Sequence, residues 1–200
     1  MRIIAGSAKG RRLKSPKRGS EIKPILSRTR QSFFDTVRPR LTGCRFLDLY
    51  AGSGIVGLEA LSRGADLAVF VERSREGLRL LEENIRALGA EGKAEVVAGD
   101  VVGGVLFSLK NRLPKDTVFE IVFSAPPYLG ADRRGEILRM SVPTAAAVVS
   151  AGLAAPGGLI VLQHHKKEPL EGLPESLRVW KEAAFGETVL TYLEAKRPNV

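Results

Sequence analysis

Two hundred residues at 21.6 kDa suit one globular domain with a small appendage and exclude two full domains. With 44% hydrophobic and 26% charged residues the chain has the apolar surface to build a core, which excludes disorder, and no apolar run reaches the ~18 residues of a membrane-spanning helix. The net charge of +9 is polarised: thirteen Lys and Arg residues fall in the first 45 positions against only Glu21 and Asp35, so +11 sits there, the other 155 residues net −2, and a polyanion contact is expected.

In chain order, Arg2 to Ala5 and Arg11 to Leu13 flank a turn from Gly6 to Gly10 and predict a small hairpin. Charges here, where a secretory signal needs an apolar run, predict a cytoplasmic protein. A loop with Pro16, Gly19 and Pro24 leads to Ser27, the expected N-cap of a helix from Arg28 to about Arg38. That helix turns Phe33, Phe34 and Val37 inward, leaves Arg30 and Arg38 solvated, and stops at Pro39. Cys44 is the only cysteine, which excludes an internal disulfide, and it reads as a small buried hydrophobe.

From Arg45 onward strands alternate with helices. The strands are Arg45 to Tyr50, Leu67 to Glu72, Ala94 to Ala98, Val118 to Phe123 and Leu159 to Gln163. The helices are Ile55 to Arg63, Arg75 to Leu88 with Ser74 as its cap, Val101 to Lys110, and a region from Arg134 to Gly152 that Pro143 interrupts. This rhythm predicts a parallel sheet with crossover helices. Ser176 to Phe185 and Thr188 to Ala195 then follow one another through Gly186 with no helix between, and predict an antiparallel pair that holds Trp180 in the core. His164 and His165 end the fifth strand as an exposed tip without metal-ligand partners.

Candidate chemistry gathers at strand ends. Gly52, Gly54 and Gly57 sit between the first parallel strand and its helix, where glycine lets a nucleotide approach the backbone. Asp48 precedes them; its carboxylate repels a pyrophosphate but suits a cationic amino or sulfonium group, and S-adenosylmethionine carries both. A strand-end carboxylate that caps nearby backbone amides is the other reading of Asp48. Glu72 ends the second strand, where it would accept from ribose hydroxyls of either NAD or S-adenosylmethionine. Asp100 follows the third strand, placed for an adenine amino group, with Val101 beside it to pack on the ring. After the fourth strand, Pro126 and Pro127 hold carbonyls rigidly at the sheet edge and Tyr128 offers a face for a base.

Taken together these residues resemble the Rossmann-like class I S-adenosylmethionine-dependent methyltransferases, and within them the 16S ribosomal RNA guanine-N2 methyltransferases of the RsmD family. The likeness spans nearly the whole chain. It rests on Met1 to Gly6, Gly10 to Leu13, Asp48 to Gly57, Leu58 to Ala65, Asn84 to Gly89 and Gly186 to Leu190. The resemblance implies an α/β fold with a mostly parallel seven-stranded sheet, an antiparallel C-terminal pair and a small N-terminal hairpin and helix extension. It divides the chain into a basic RNA-contacting extension, 1–43, and a cofactor domain, 44–200, which would stay folded if Met1 to Gly19 were deleted.

The cofactor site so implied holds S-adenosylmethionine through Asp48, Tyr50, Ala51, Gly52, Ser53 and Gly54, then Glu72, Arg73, Asp100 and Val101. The catalytic motif falls on Ala125, Pro126, Pro127 and Tyr128. Its first position is Asp or Asn in the family, an acceptor for the amine protons, and Ala125 has none. RNA contacts fall on Arg2, Lys9, Arg11 and Arg12, and on Lys23, Arg28 and Arg30. There the family's Arg-Pro-Thr-x-x-x-Arg-x-Arg-Glu keeps its proline and two arginines as Pro24, Arg28 and Arg30 but loses other polar groups. The implied partner is 16S rRNA within a small-subunit assembly particle, met by a monomer without metal or membrane contact.

Overall fold

The computed structural model describes residues 1–126 and 139–197 and divides into two compact units, Met1–Asp100 and Val101–Val200. In the first, strands β1 (Arg45–Leu49), β2 (Leu67–Glu72) and β3 (Ala94–Ala98) run parallel in the order β3-β2-β1. Helices intervene in the chain: α1 (Ser27–Val37) before β1, α2 (Ile55–Ser62) after it, and α3 (Arg75–Leu88) after β2. Phe46, Leu47 and Leu49 of β1 and Ala68 to Val71 of β2 are fully buried, as strands of a parallel sheet covered on both faces must be.

Helix α3 begins where Ser74 Oγ accepts from Gly77 N at 3.0 Å, as expected, and ends at Gly89 in the left-handed region. Helix α1 buries Phe33, Phe34 and Val37, with Phe33 edge-on to Phe46 at 6.2 Å. Its N-cap is Leu26, with Ser27 already inside the helix and no side-chain cap, which corrects the expected start by one residue. The hairpin is minimal: Arg2 and Arg12 form an antiparallel bridge, and Ile3 N donates to Arg11 O at 3.0 Å.

In the second unit, α4 (Leu106–Arg112), β4 (Phe119–Ser124) and α5 (Ser141–Ser150) are followed by β5 (Ala154–His165), β6 (Leu177–Phe185) and β7 (Thr188–Ala195). The strand order is β4-β5-β7-β6, with β4 and β5 parallel and the β5–β7 and β7–β6 pairs antiparallel. Among the described residues the protein thus carries a seven-stranded mixed sheet, mostly parallel with an antiparallel C-terminal pair. No helix among them is long and apolar enough to cross a membrane.

Four expectations change here. The helix expected from Val101 starts at Leu106, because Gly103 and Gly104, the latter at φ +90°, divert the chain through a wide turn over 101–105. Pro143 does not interrupt a helix but sits in the first turn of α5, where its missing N–H breaks no bond; residues 134–138 of the expected region lie outside the described residues. Strand β5 is more than twice its expected length, because Pro156, Gly157 and Gly158 are absorbed in an irregularity of the β4–β5 pairing instead of ending the strand. A side chain at Gly158 would stand 2.8 Å from Ala155 O.

The fourth concerns β6 and the tip of β5. Pairing of β6 with β7 shifts between Val179 and Lys181, so Trp180 is the extra residue of a bulge. It is 44% exposed, with its ring edge-on to Tyr192 at 6.0 Å, rather than in the core. His164 is instead buried, with Nε2 2.9 Å from Thr191 Oγ1 on the neighbouring strand.

Candidate active site

The turn after β1 is tightly wound. Tyr50 adopts φ 59°, a conformation that costs a residue with a Cβ and is held only where surroundings over-determine it. Ala51 N donates to Val71 O at 3.0 Å and Gly54 N to Ala51 O at 2.8 Å, which fix the loop on the adjacent strand. Gly54, at φ 76°, and Gly57 are required by packing: a Cβ would stand 2.3 Å from Leu81 Cδ1 and from the Phe70 ring respectively. A Cβ on Gly52 would meet Ile22 Cγ2 at 2.9 Å, so the glycine loop lies against the segment that precedes α1.

Two carboxylates flank this loop. Glu72 at the end of β2 is 8% exposed; its Oε2 accepts from Gly52 N at 2.7 Å, and its Oε1 from Arg73 N at 3.0 Å and Ser74 N at 2.8 Å. Gly77 makes room for it, since a Cβ there would be 2.8 Å from Glu72 Cδ. Asp48 is 2% exposed and accepts from Gly57 N through Oδ2 at 2.9 Å. The amide-capping role that the sequence left open for Asp48 is therefore realised in the fold. Burial, helped by the nearby charge of Glu72 and opposed by the Gly57 hydrogen bond, pushes its carboxyl up to about 8.

A raised carboxyl pKa has a consequence for stability. Between the ordinary 3.8 and about 8, the folded chain keeps a proton that the unfolded chain has released, so stability is lost as pH rises through that window. Asp48→Asn keeps an acceptor for Gly57 N and cannot ionise. The variant is expected to gain on the natural protein as pH rises from about 5 to about 9, by a few kcal/mol at roughly 1.4 kcal/mol per pKa unit. Urea unfolding of both proteins across that range measures it; parallel pH profiles would show that Asp48 is already ionised.

Of the other cofactor candidates, Ser53 is buried with Oγ 3.5 Å from Met1 Sδ, and Ala51 is half-buried. Arg73 and Asp100 are paired with each other, Nη1 to Oδ2 at 2.8 Å, on the surface. Val101 is buried at the start of the second unit. There, Ala125 is half-buried and Pro126 buried directly after β4, whereas Pro127 and Tyr128 lie outside the described residues. Ser124 is fully buried, and its hydroxyl has no hydrogen-bond partner among the described residues.

The basic candidates divide. Arg2, Lys9, Arg11, Arg12, Lys23 and Arg28 are exposed, available to a polyanion. Arg30 is 3% exposed, which overturns the expectation that it is solvated: its Nη2 donates to Arg2 O at 2.9 Å, and its Nε lies 3.9 Å from Glu59 Oε2. Among the described residues no group of three or more His, Cys, Asp or Glu side chains is placed to hold a metal ion.

Sequence reasoning missed the polar residues that tie the basic segment down. Glu59 of α2, fully buried, accepts from Ile4 N at 2.8 Å and Ala5 N at 2.9 Å. Ser62 receives Ala8 N on its Oγ at 3.0 Å and Ser7 N on its carbonyl at 2.7 Å. The signal was present: Glu59 is the only charged residue of α2, and Asn84 shares the buried face of α3 with Leu80, Leu81 and Ile85.

Comparison with known proteins places these features in context. The family model described as "Conserved hypothetical protein 95" matches residues 1–194. The chain is 30% identical over 187 residues to "Ribosomal RNA small subunit methyltransferase D" of Escherichia coli (strain K12), covering 94% of this chain and 86% of that protein. Among solved structures, YhhF of Escherichia coli superposes with a TM-score of 0.80 at 30% identity, over 98% of each chain. A hypothetical protein of Thermus thermophilus gives 0.72 at 36% identity, over 96% of this chain and 98% of the other.

Proposed function

The chain belongs to the RsmD family of methyltransferases, and from that premise we propose that it transfers the methyl group of S-adenosylmethionine to the exocyclic N2 amine of a guanine in 16S ribosomal RNA during small-subunit maturation. The observation that carries this reading is the glycine loop with its two buried strand-end carboxylates, Asp48 and Glu72, inside a family match over residues 1–194. When bound, the cofactor supplies an electrophilic methyl on a sulfonium.

The residues of the chain fit that group. A carboxylate has about four lone-pair positions, and backbone amides occupy three of those on Glu72. The one left, on Oε2, is available to a ribose hydroxyl, so Glu72 serves one hydroxyl rather than two. Asp48 sits at the end of β1, where a cationic amino group would favour the ionised form and draw its raised pKa down. Asp100, held by Arg73, is the candidate for the adenine amine. An amine that took the methyl would have a proton to lose, and that proton needs an acceptor from this chain's own groups.

Ala125 favours a second reading, a family member that binds RNA and cofactor but transfers methyl weakly or not at all. Calorimetry with S-adenosylmethionine and with NAD, followed by tritiated-methyl incorporation into undermethylated 30S particles, tests both. Tighter binding of NAD, or of neither, removes the methyltransferase reading of the loop. Binding of S-adenosylmethionine without incorporation leaves the second reading.

RNA binding has its own signature. Arg12 is exposed and Arg30 is not. Arg12→Ala is expected to weaken binding of a 16S rRNA transcript and to reduce the slope of log affinity against log salt by about 0.7, the value for one released counterion on a single strand. Arg30→Ala is expected to lower the melting temperature before it touches the slope. An unchanged slope for Arg12→Ala would make the basic face mere solvation.

A further inference from the structure

One buried side chain hydrogen-bonds to the backbone of both the basic segment and the glycine loop. Asn84 of α3, fully buried, donates from Nδ2 to Ser53 O at 2.9 Å and to Lys14 O at 3.2 Å, while its Oδ1 accepts from Lys14 N at 2.7 Å. Three of its four hydrogen-bonding positions are thus spent on two backbone stretches, one in the loop and one 39 residues earlier in the basic segment. The same two stretches meet again where Ser53 Oγ lies 3.5 Å from Met1 Sδ. Glu59 and Ser62 fix the segment further upstream, at residues 4 to 8, so Asn84 is the point where its order and that of the loop depend on one group. The chemistry needs an amide: aspartate has no donor for the two carbonyls.

We propose that Asn84 is a positioning residue that couples the cofactor loop to the RNA-binding segment, so that cofactor occupancy tightens RNA binding and RNA tightens cofactor binding by the same factor. This rests on the function proposed above. A ligand that holds the loop also holds Ser53 O, and with it the amide that orders Lys14. RNA then meets a segment already ordered and loses less entropy on binding, and thermodynamic linkage makes the effect reciprocal.

The test is titration of the full chain with a 16S rRNA transcript, with and without saturating S-adenosylhomocysteine. The natural protein is expected to bind RNA about fivefold tighter or more with the nucleoside present. Asn84→Asp keeps the acceptor for Lys14 N and turns a carboxylate oxygen toward two carbonyls; its coupling factor is expected to fall to about one. A purely structural role would lower the variant's melting temperature and leave the factor unchanged, which overturns the proposal, as does a factor of one in the natural protein. Failure of the natural protein to bind RNA or the nucleoside singly would instead sink the underlying function. If Asn84→Asp does not fold, amide exchange at Lys14 of the natural protein decides: about fivefold slowing on addition of S-adenosylhomocysteine is expected, and no slowing overturns the coupling.

Discussion

Glu59→Ala is expected to lower the unfolding free energy by about 3–5 kcal/mol, the cost of leaving buried charges without their counter-charge. The carboxylate accepts from Ile4 N, Ala5 N and, at 2.9 Å, Arg63 Nε, and it faces Arg30 Nε at 3.9 Å. Both guanidinium groups are themselves covered, at 3% and 9% side-chain exposure, Arg30 on α1 and Arg63 just after α2. Alanine strands two cations and two amides at once. Glu59→Gln keeps one acceptor oxygen, loses the charge and turns an NH2 donor toward the other partners, and is expected to fall between the natural protein and the alanine variant. Urea unfolding at constant m-value measures the loss; a change under about 1 kcal/mol would mean that Arg30 and Arg63 relax into solvent.

The same network revises what a truncation should do. Deleting Met1 to Gly19 removes the amides that Glu59 and Ser62 hold, the Lys14 partner of Asn84 and the cover over Ser53. The sequence led us to expect a folded remainder, because the segment is basic and rich in turns and looks detachable. Its anchors are instead backbone amides that donate to side chains 54 to 70 residues away, and no local pattern displays them. The truncated chain is therefore expected to lose cooperative unfolding rather than RNA affinity alone.

What was legible locally was what hydrophobic periodicity and capping encode. β2, β3 and α3 fall where their patterns place them, and Ser74 caps α3 as its position before the first turn implies. The glycine loop was legible for the same reason, since glycines at 54 and 57 answer to close helix–sheet packing. Arg30 was not, because among thirteen basic residues nothing local shows that this one is buried against Glu59 of α2. The exchanged fates of His164 and Trp180 have a related cause. Exposure in a strand depends on which strand pairs beside it and in what register, and only the β5–β7 and β6–β7 pairings decide that Thr191 covers the one and a bulge extrudes the other.

Ala125→Asp or Ala125→Asn is expected to raise methyl transfer at saturating cofactor by roughly 100- to 1000-fold, the usual worth of one preorganised group in a transition state. The exocyclic amine of guanine is a poor nucleophile because its lone pair is delocalised into the ring. As its nitrogen bonds to carbon it acquires positive charge, and a hydrogen-bond acceptor at that moment stabilises the transition state more than the ground state. Ala125 follows β4 directly and is half-buried, so a side chain added there gains an acceptor without filling a sealed core. The gain should therefore appear in kcat, with little change in the affinity for S-adenosylmethionine measured by calorimetry. The assay is tritiated-methyl incorporation into undermethylated 30S particles by the natural protein and both variants. Robust turnover by the natural sequence, unimproved by either substitution, would place the acceptor elsewhere, and Ser124 is then the first residue to change, because its buried hydroxyl lacks a partner among the described residues. Silence in all three would favour a family member that binds RNA without methylating it.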